Sequence, residues 1–277
     1  MKYEDAYRYG CEKLINNSIS DARFDAAYLL EMVCNTDRND LYSHPDRELT
    51  DSEWSEYQTS IQKRSTHIPL QHITGMQEFM GLNFTVSPSV LIPRQDTETL
   101  VEEVLRYLQD GMEILDMCTG SGCILLSLLH YSNHCIGTGA DISADALSVA
   151  KKNAETLGIP AEFIQSDLFL EIQGRFDIIV SNPPYIKSDI IDSLEPEVRD
   201  HEPLLALDGD KDGVRFYRLI SSSAKKHLNR GGMLFFEIGY DEKDEVEEIL
   251  RQEGYLDVTC VKDLSGNDRV IIGTYRE

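Results

Sequence analysis

The chain has 277 residues, with 26 Lys and Arg against 49 Asp and Glu, a formal charge of −23 at pH 7. That balance argues against a general nucleic-acid binder, which carries a basic footprint, and reports mainly solubility. The length suffices for one large or two smaller domains with a buried core, and no apolar run approaches a membrane span.

Residues 1 to about 70 read as helical. Tyr3 to Leu14 is amphipathic, and Asp21 to Cys34 carries Phe24, Ala27, Tyr28, Leu30 and Met32. Thr50 is placed to N-cap a helix running to Lys63, with Glu53 three residues on completing a capping box. A small helical domain over 1–70 is expected. Residues 71–93 change character: Gly75, Gly81, Pro88 and Pro93 punctuate two β-like pieces, Gln77–Met80 and Asn83–Val86, which read as a hairpin linker. Arg94 to Gln109 returns to helical spacing, with Leu100, Val101, Val104, Leu105 and Leu108 on one face.

From Gly111 strands and helices alternate. Strands are expected at 113–117, 135–141, 161–165, 176–181, 233–238, 256–261 and 269–274, and helices at 122–130, 144–157, 213–228 and 242–253. This is the pattern of a doubly wound, Rossmann-like α/β sheet of seven strands over 94–277. The loop between the last two strands is too short for a parallel crossover, so the last strand is expected antiparallel.

Six cysteines (11, 34, 118, 123, 135 and 260) form no Cys-x-x-Cys pair. They read as reduced and mostly buried, in a cytoplasmic protein. The N-terminus lacks the basic-then-apolar pattern of a signal peptide. The seven histidines form no ligand set, and no metal site is expected.

Asp116-Met117-Cys118-Thr119-Gly120-Ser121-Gly122 is a strand running into a glycine-rich turn and then a helix. Gly120 and Gly122 allow a sharp turn and close approach to a ligand, and the helix N-terminus offers free N–H groups. Asp141 ends the next strand, where a carboxylate can accept hydrogen bonds from ribose hydroxyls. Asp167 follows the third strand, where an adenine would lie. Leu125 stands where a dinucleotide fingerprint has its third glycine, so an adenosyl ligand with an amino-acid tail fits better than a pyrophosphate.

Asn182-Pro183-Pro184-Tyr185 directly follows the apolar run 176–181. Two prolines fix their φ angles and remove two N–H donors, which leaves carbonyls as outward acceptors. The Asn182 side-chain oxygen adds another acceptor and Tyr185 a flat face. Together they suit a planar NH2 group, an amide or an exocyclic amine, as the target of methyl transfer.

Further stretches make the chain resemble the PrmC/HemK family of release-factor glutamine N5-methyltransferases: Pro69 to Gly75, Val90 to Arg94, Asp116 to Gly122, Asp141 to Ser143, Ser166 to Phe169, Ser181 to Ile186, Glu197 to Asp200, Leu205 to Gly209, Glu237 to Gly239 and Asp263 to Arg269. Gln95 departs from a proline common in the family. The resemblance implies S-adenosyl-L-methionine as cofactor, held by Asp116, the turn Cys118 to Gly122, Asp141, Asp167, Leu168 beside the adenine, and Asn182. It implies Asn182, Pro183, Pro184 and Tyr185 as the catalytic group. The implied substrate is the glutamine of the Gly-Gly-Gln motif in class-one peptide chain release factors, with 1–70 as the docking domain and 94–277 as the methyltransferase domain. A ribosomal-protein glutamine methyltransferase and an adenine-N6 nucleic-acid methyltransferase remain as alternatives at this point.

Overall fold

The computed structural model describes residues 1–276. They form two compact units, one of residues 1–75 with 195–201, the other of 76–194 with the chain from 202 onward. In the first unit, α1 (Tyr3–Asn16) buries Tyr3, Ala6, Gly10 and Leu14, one stripe at helical spacing. Next come α2 (Ala22–Val33), α3 (Arg38–Ser43), α4 (Asp51–Arg64) and α5 (Leu70–Thr74). The expected capping box is present: the Thr50 hydroxyl accepts from Glu53 N and the Glu53 carboxylate accepts from Thr50 N. Asp37 caps α3 by accepting from Asp40 N at 2.9 Å. The short helices α3 and α5 lack the turns that periodicity needs and were not expected. Arg64 is buried and donates to Asp25 at 2.6 Å, to the Ile68 carbonyl at 3.2 Å and to Glu197 at 2.6 Å. It thereby ties residues 195–201 into this unit.

The second unit opens with the hairpin β1 (Met76–Phe79) and β2 (Leu82–Thr85), one residue earlier than expected, with Phe79 opposite Leu82. Met80 and Gly81, at φ 50° and 70°, form the two-residue turn. Then follow α6 (Gln95–Tyr107), β3 (Glu113–Met117), α7 (Cys123–His130), β4 (Ile136–Asp141), α8 (Ala144–Leu157), β5 (Glu162–Gln165) and β6 (Phe176–Ser181). After α9 (Pro196–Arg199), in the first unit, the chain continues through α10 (Leu204–Leu207), α11 (Arg215–Ala224), β7 (Leu228–Glu237), α12 (Lys243–Gln252), β8 (Leu256–Lys262) and β9 (Asp268–Thr274).

The seven-stranded sheet has the order β5-β4-β3-β6-β7-β9-β8, parallel through β7, with β9 antiparallel to both neighbours. Strand order reverses between β3 and β6, the crevice where open α/β sheets bind ligands. Side chains alternate across the sheet with period two. Ile114, Ile178 and Phe235 pack on one side with α6 and α7, and Leu115, Ile179 and Phe236 on the other with α11 and α12.

Two expectations are corrected. Helix α11 ends at Ala224 rather than 228, and β7 starts at Leu228 rather than 233. Leu228 pairs with Phe176 and the register slips before Ile178, so the strand runs through Gly231-Gly232 instead of starting after it. Only Cys34 and Cys123 are buried, although all six cysteines are free thiols. Cys118 lines a cavity and Cys260 lies on the edge strand β8, so each has one open flank. Among the described residues no helix is long and apolar enough to cross a membrane.

Candidate active site

The turn after β3 is held by the residues around it. Asp116 is fully buried, and its Oδ2 accepts from the Thr119 hydroxyl at 2.6 Å. Burial pushes its carboxyl up to about 7. Thr119 N donates to the Ala140 carbonyl, which joins the turn to β4. Gly122 N-caps α7 at φ 78°, and a Cβ there would lie 3.2 Å from that of Ala150, so a side chain would meet both strain and α8. Asp141 accepts from Gly120 N through one oxygen and from Ser143 N through the other, each at 2.9 Å. Both oxygens keep a second lone pair for a ligand hydroxyl. Burial raises this carboxyl as well.

A cavity of about 310 Å³ opens along this edge, within the size range of small-molecule sites. Cys118, Thr119, Gly120, Ser121, Asp141, Asp167, Leu168, Asn182 and Pro184 line it. Asp167 is exposed, and Leu168 sits at φ 49° with its carbonyl held by the Ser166 hydroxyl at 2.6 Å. Of the expected cofactor residues, Asp116 and Gly122 stand behind the wall and act on the turn rather than on the cavity.

The other end of the cavity is built around Asn182, which directly follows β6. Its Nδ2 donates to the Thr97 hydroxyl at 3.5 Å, and Thr97 is buried on α6. The amide oxygen, the other end of the group, is left to face a ligand. Pro183 and Tyr185 do not line the cavity. The Tyr185 ring packs against the core, and its hydroxyl donates to Glu237 Oε1 at 3.4 Å. Glu237 ends β7 fully buried; burial pushes it up to about 7, against the opposing pull of Thr97 and Arg269.

The chain beyond Tyr185 is laced to the segment after α10. Ile186 N donates to the Leu207 carbonyl, Gly209 N to the Ile186 carbonyl and Ser188 N to the Asp210 carbonyl. A Cβ on Gly209 would lie 2.7 Å from Tyr185 Cα, so only glycine allows this approach.

Four supporting residues have no role in the reading of the sequence, although Gly209 and Glu237 stand in stretches that carry the resemblance. Thr97 and Gly209 carry no local signal. Asn153 hides inside a predicted helix. It is buried, its Nδ2 donates to the Ser121 carbonyl at 2.9 Å, and its Oδ1 accepts from Thr85 N at 2.7 Å. Glu237 had a signal: it is a carboxylate ending an apolar strand, as Asp116 and Asp141 are. Among the described residues no cluster suited to a metal ion occurs.

A methyltransferase from Pyrococcus furiosus shares the fold, with a TM-score of 0.56 at 20% identity over 80% of this chain and all of that one. Residues 95–194 match the methyltransferase small domain, and residues 5–75 match the PrmC N-terminal domain. Fold, turn and carboxylate edge together define a Rossmann-like methyltransferase. The release factor glutamine methyltransferase of Geobacter sulfurreducens is 40% identical over 261 residues, 94% of this chain and 92% of its own. That of Clostridium acetobutylicum is 41% identical over 279 residues, 98% of each. The chain belongs to the release factor glutamine methyltransferase family.

Proposed function

We propose that this enzyme methylates the side-chain amide nitrogen, N5, of the glutamine in the Gly-Gly-Gln motif of class-one peptide chain release factors, with S-adenosyl-L-methionine as methyl donor. The observation that carries the reading is the Asn182 carboxamide. Its nitrogen is engaged by Thr97 and its oxygen is available on the cavity beside the glycine turn. The near full-length relatives named for release factors favour this substrate over a ribosomal protein or an adenine.

The residues fit the cofactor. Asp141 keeps lone pairs for two ribose hydroxyls, Asp167 and Leu168 flank the place for adenine, and the turn 118–122 takes the amino-acid tail. Two carboxylates on the cavity, Asp141 and Asp167, suit a ligand that carries positive charge. When bound, S-adenosylmethionine supplies an electrophilic methyl group on its sulfonium.

The protein's part is orientation. An amide nitrogen has a delocalised lone pair and is a weak nucleophile. Asn182 Oδ1 and the Pro183 carbonyl accept its two N–H bonds and fix its direction, and Tyr185 backs the loop that presents them. Such positioning can supply roughly 7–11 kcal/mol. The same acceptors favour the positive charge that builds on nitrogen, and a proton then leaves to water. Residues 1–70 serve as the docking domain, 71–93 as a linker and 94–277 as the transfer domain, in a chain acting in the cytoplasm.

Methyl transfer from labelled S-adenosylmethionine to purified release factor tests this reading. Label is expected on the intact factor and none when the Gly-Gly-Gln glutamine is replaced by alanine. Equal labelling of both would overturn the assignment.

A further inference from the structure

We propose that Arg94 binds the α-carboxylate of S-adenosyl-L-methionine and that Glu202 is the residue that positions it. This deepens the cofactor half of the reading above and does not depend on the identity of the methyl acceptor. The amino-acid tail of the cofactor ends in an ammonium and a carboxylate. With the sulfonium, the ligand carries two positive charges and one negative. Asp141 and Asp167 answer the positive charge from the cavity wall. The negative charge needs a cation or N–H donors, because a carboxylate only accepts.

Among the described residues, two cations line the cavity, Arg94 and Arg215. They come from opposite faces of the sheet. Arg94 is the N-cap residue of α6, and α6 packs with α7: Leu100, Val101 and Val104 share a core with Cys123, Ile124 and Leu125. The glycine turn that takes the tail runs directly into α7, and Cys123 and Ile124 of its first turn line the same cavity as Arg94. Arg215 opens α11, which packs on the other face. Its guanidinium pairs with Asp210 at 3.0 Å, an ion pair open to solvent on both sides.

Arg94 is held differently. Its Nη2 donates to Glu202 Oε1 at 2.5 Å. The Glu202 side chain is 1% exposed and that of Arg94 is 42% exposed. A buried carboxylate needs a cation, but a buried arginine would meet that need. Here the cation keeps an open flank, and the flank borders the cavity. A guanidinium is a planar fork with five N–H donors, so a bond at one terminal nitrogen orients the whole group. The donors outside that bond can pair with a second carboxylate. The backbone is fixed as well, since the Arg94 carbonyl accepts from Thr97 N at 3.1 Å. Pro203, which follows Glu202, lines the cavity with Leu205 and Ala206. The ion pair thus joins the 89–97 wall to the 203–206 wall.

Calorimetric titration with S-adenosylmethionine and with its decarboxylated form tests the assignment. The second ligand keeps the adenosyl group, the sulfonium and the ammonium. Wild type should bind it about 10–100-fold more weakly, the span of a hydrogen bond to a charged group. Arg94→Ala should weaken the complete cofactor by that factor and leave the decarboxylated ligand at its wild-type Kd, which also reports a folded site. Glu202→Gln should reduce the discrimination about 3–10-fold, and Arg215→Ala should leave it unchanged. Equal binding of the two ligands by wild type, or full discrimination by Arg94→Ala, would overturn the proposal. So would a loss of discrimination in Arg215→Ala alone. Should Arg94→Ala bind neither ligand, Arg94→Lys decides: a loss confined to the complete cofactor supports the proposal, and equal losses on both ligands overturn it. A wild type that binds neither ligand would remove the cofactor reading itself.

Discussion

The two ends of the cavity are made in different ways. At the cofactor end the parts come from one continuous stretch of strands and helices: Asp116 braces Thr119 three residues on, and Asp141, ending the adjacent β4, braces Gly120 and Ser143. At the substrate end Asn182 leans on Thr97, Tyr185 leans on Glu237, and Gly209 presses against the Tyr185 backbone. The first end needs β3 and its turn, β4 beside it and Asn153 on α8. The second needs α6, β7 and the 207–210 segment all in place. Damage to the substrate end should therefore arise from residues scattered along the chain, whereas damage to the cofactor end, the Arg94–Glu202 pair aside, should arise from within the one stretch from β3 to the turn after β5.

Asn182→Ala should have the largest effect, lowering kcat by about 10²–10³-fold. The cofactor Kd should stay within about tenfold, because the amide chiefly holds substrate. Equal losses in both constants would merge the two ends. Asp141→Ala should reverse the split. It removes two ligand acceptors and leaves Gly120 N and Ser143 N without their partner, so calorimetry should show cofactor binding about 10–100-fold weaker. Gly209→Ala forces a methyl group against Tyr185 and should cost about 1–3 kcal/mol of stability in denaturant unfolding. Its kcat should drop while cofactor affinity holds; a loss of affinity instead would show that the ends are mechanically one.

The smallest effect is on pH-dependent stability. Asp116 at the cofactor end, and Glu237 and Glu242 near the substrate end, are all pushed up to about 7 by burial. Each keeps its proton to higher pH when folded than when unfolded. Their contribution is therefore full below the ordinary carboxyl range and is lost as pH rises through about 7. The Tm should fall over that interval, and Asp116→Asn or Glu237→Gln should each flatten the slope. A Tm rising with pH there would contradict the burial account.

The same division explains what the sequence discloses. Turn, strand ends and helix caps rest on residues a few positions apart, so the glycine turn, Asp141, the Thr50 capping box and the hairpin could be read directly. Residues 225–232 misled because Gly231-Gly232 resembles a strand boundary, while Leu228, buried opposite Phe176, belongs to the sheet. The roles of Thr97 and Gly209 could not be read, because their partners lie far away along the chain. Glu237 was legible in principle, since a lone acid closing Met233 to Phe236 follows the same pattern as Asp116 closing Ile114-Leu115.

Strand β9 lies inside the sheet, between β7 and β8, and supplies Arg269 beside Glu237. Synthesis runs from the N-terminus, and domains fold as they emerge. A ribosome must therefore carry the chain past Thr274 before the interior of this sheet can close. Until then β7 and β8 both present open strand edges, the kind of surface that recruits other chains. The nascent enzyme exposes both edges late in its own translation, and a stop codon just upstream of Asp268 would leave them exposed for good.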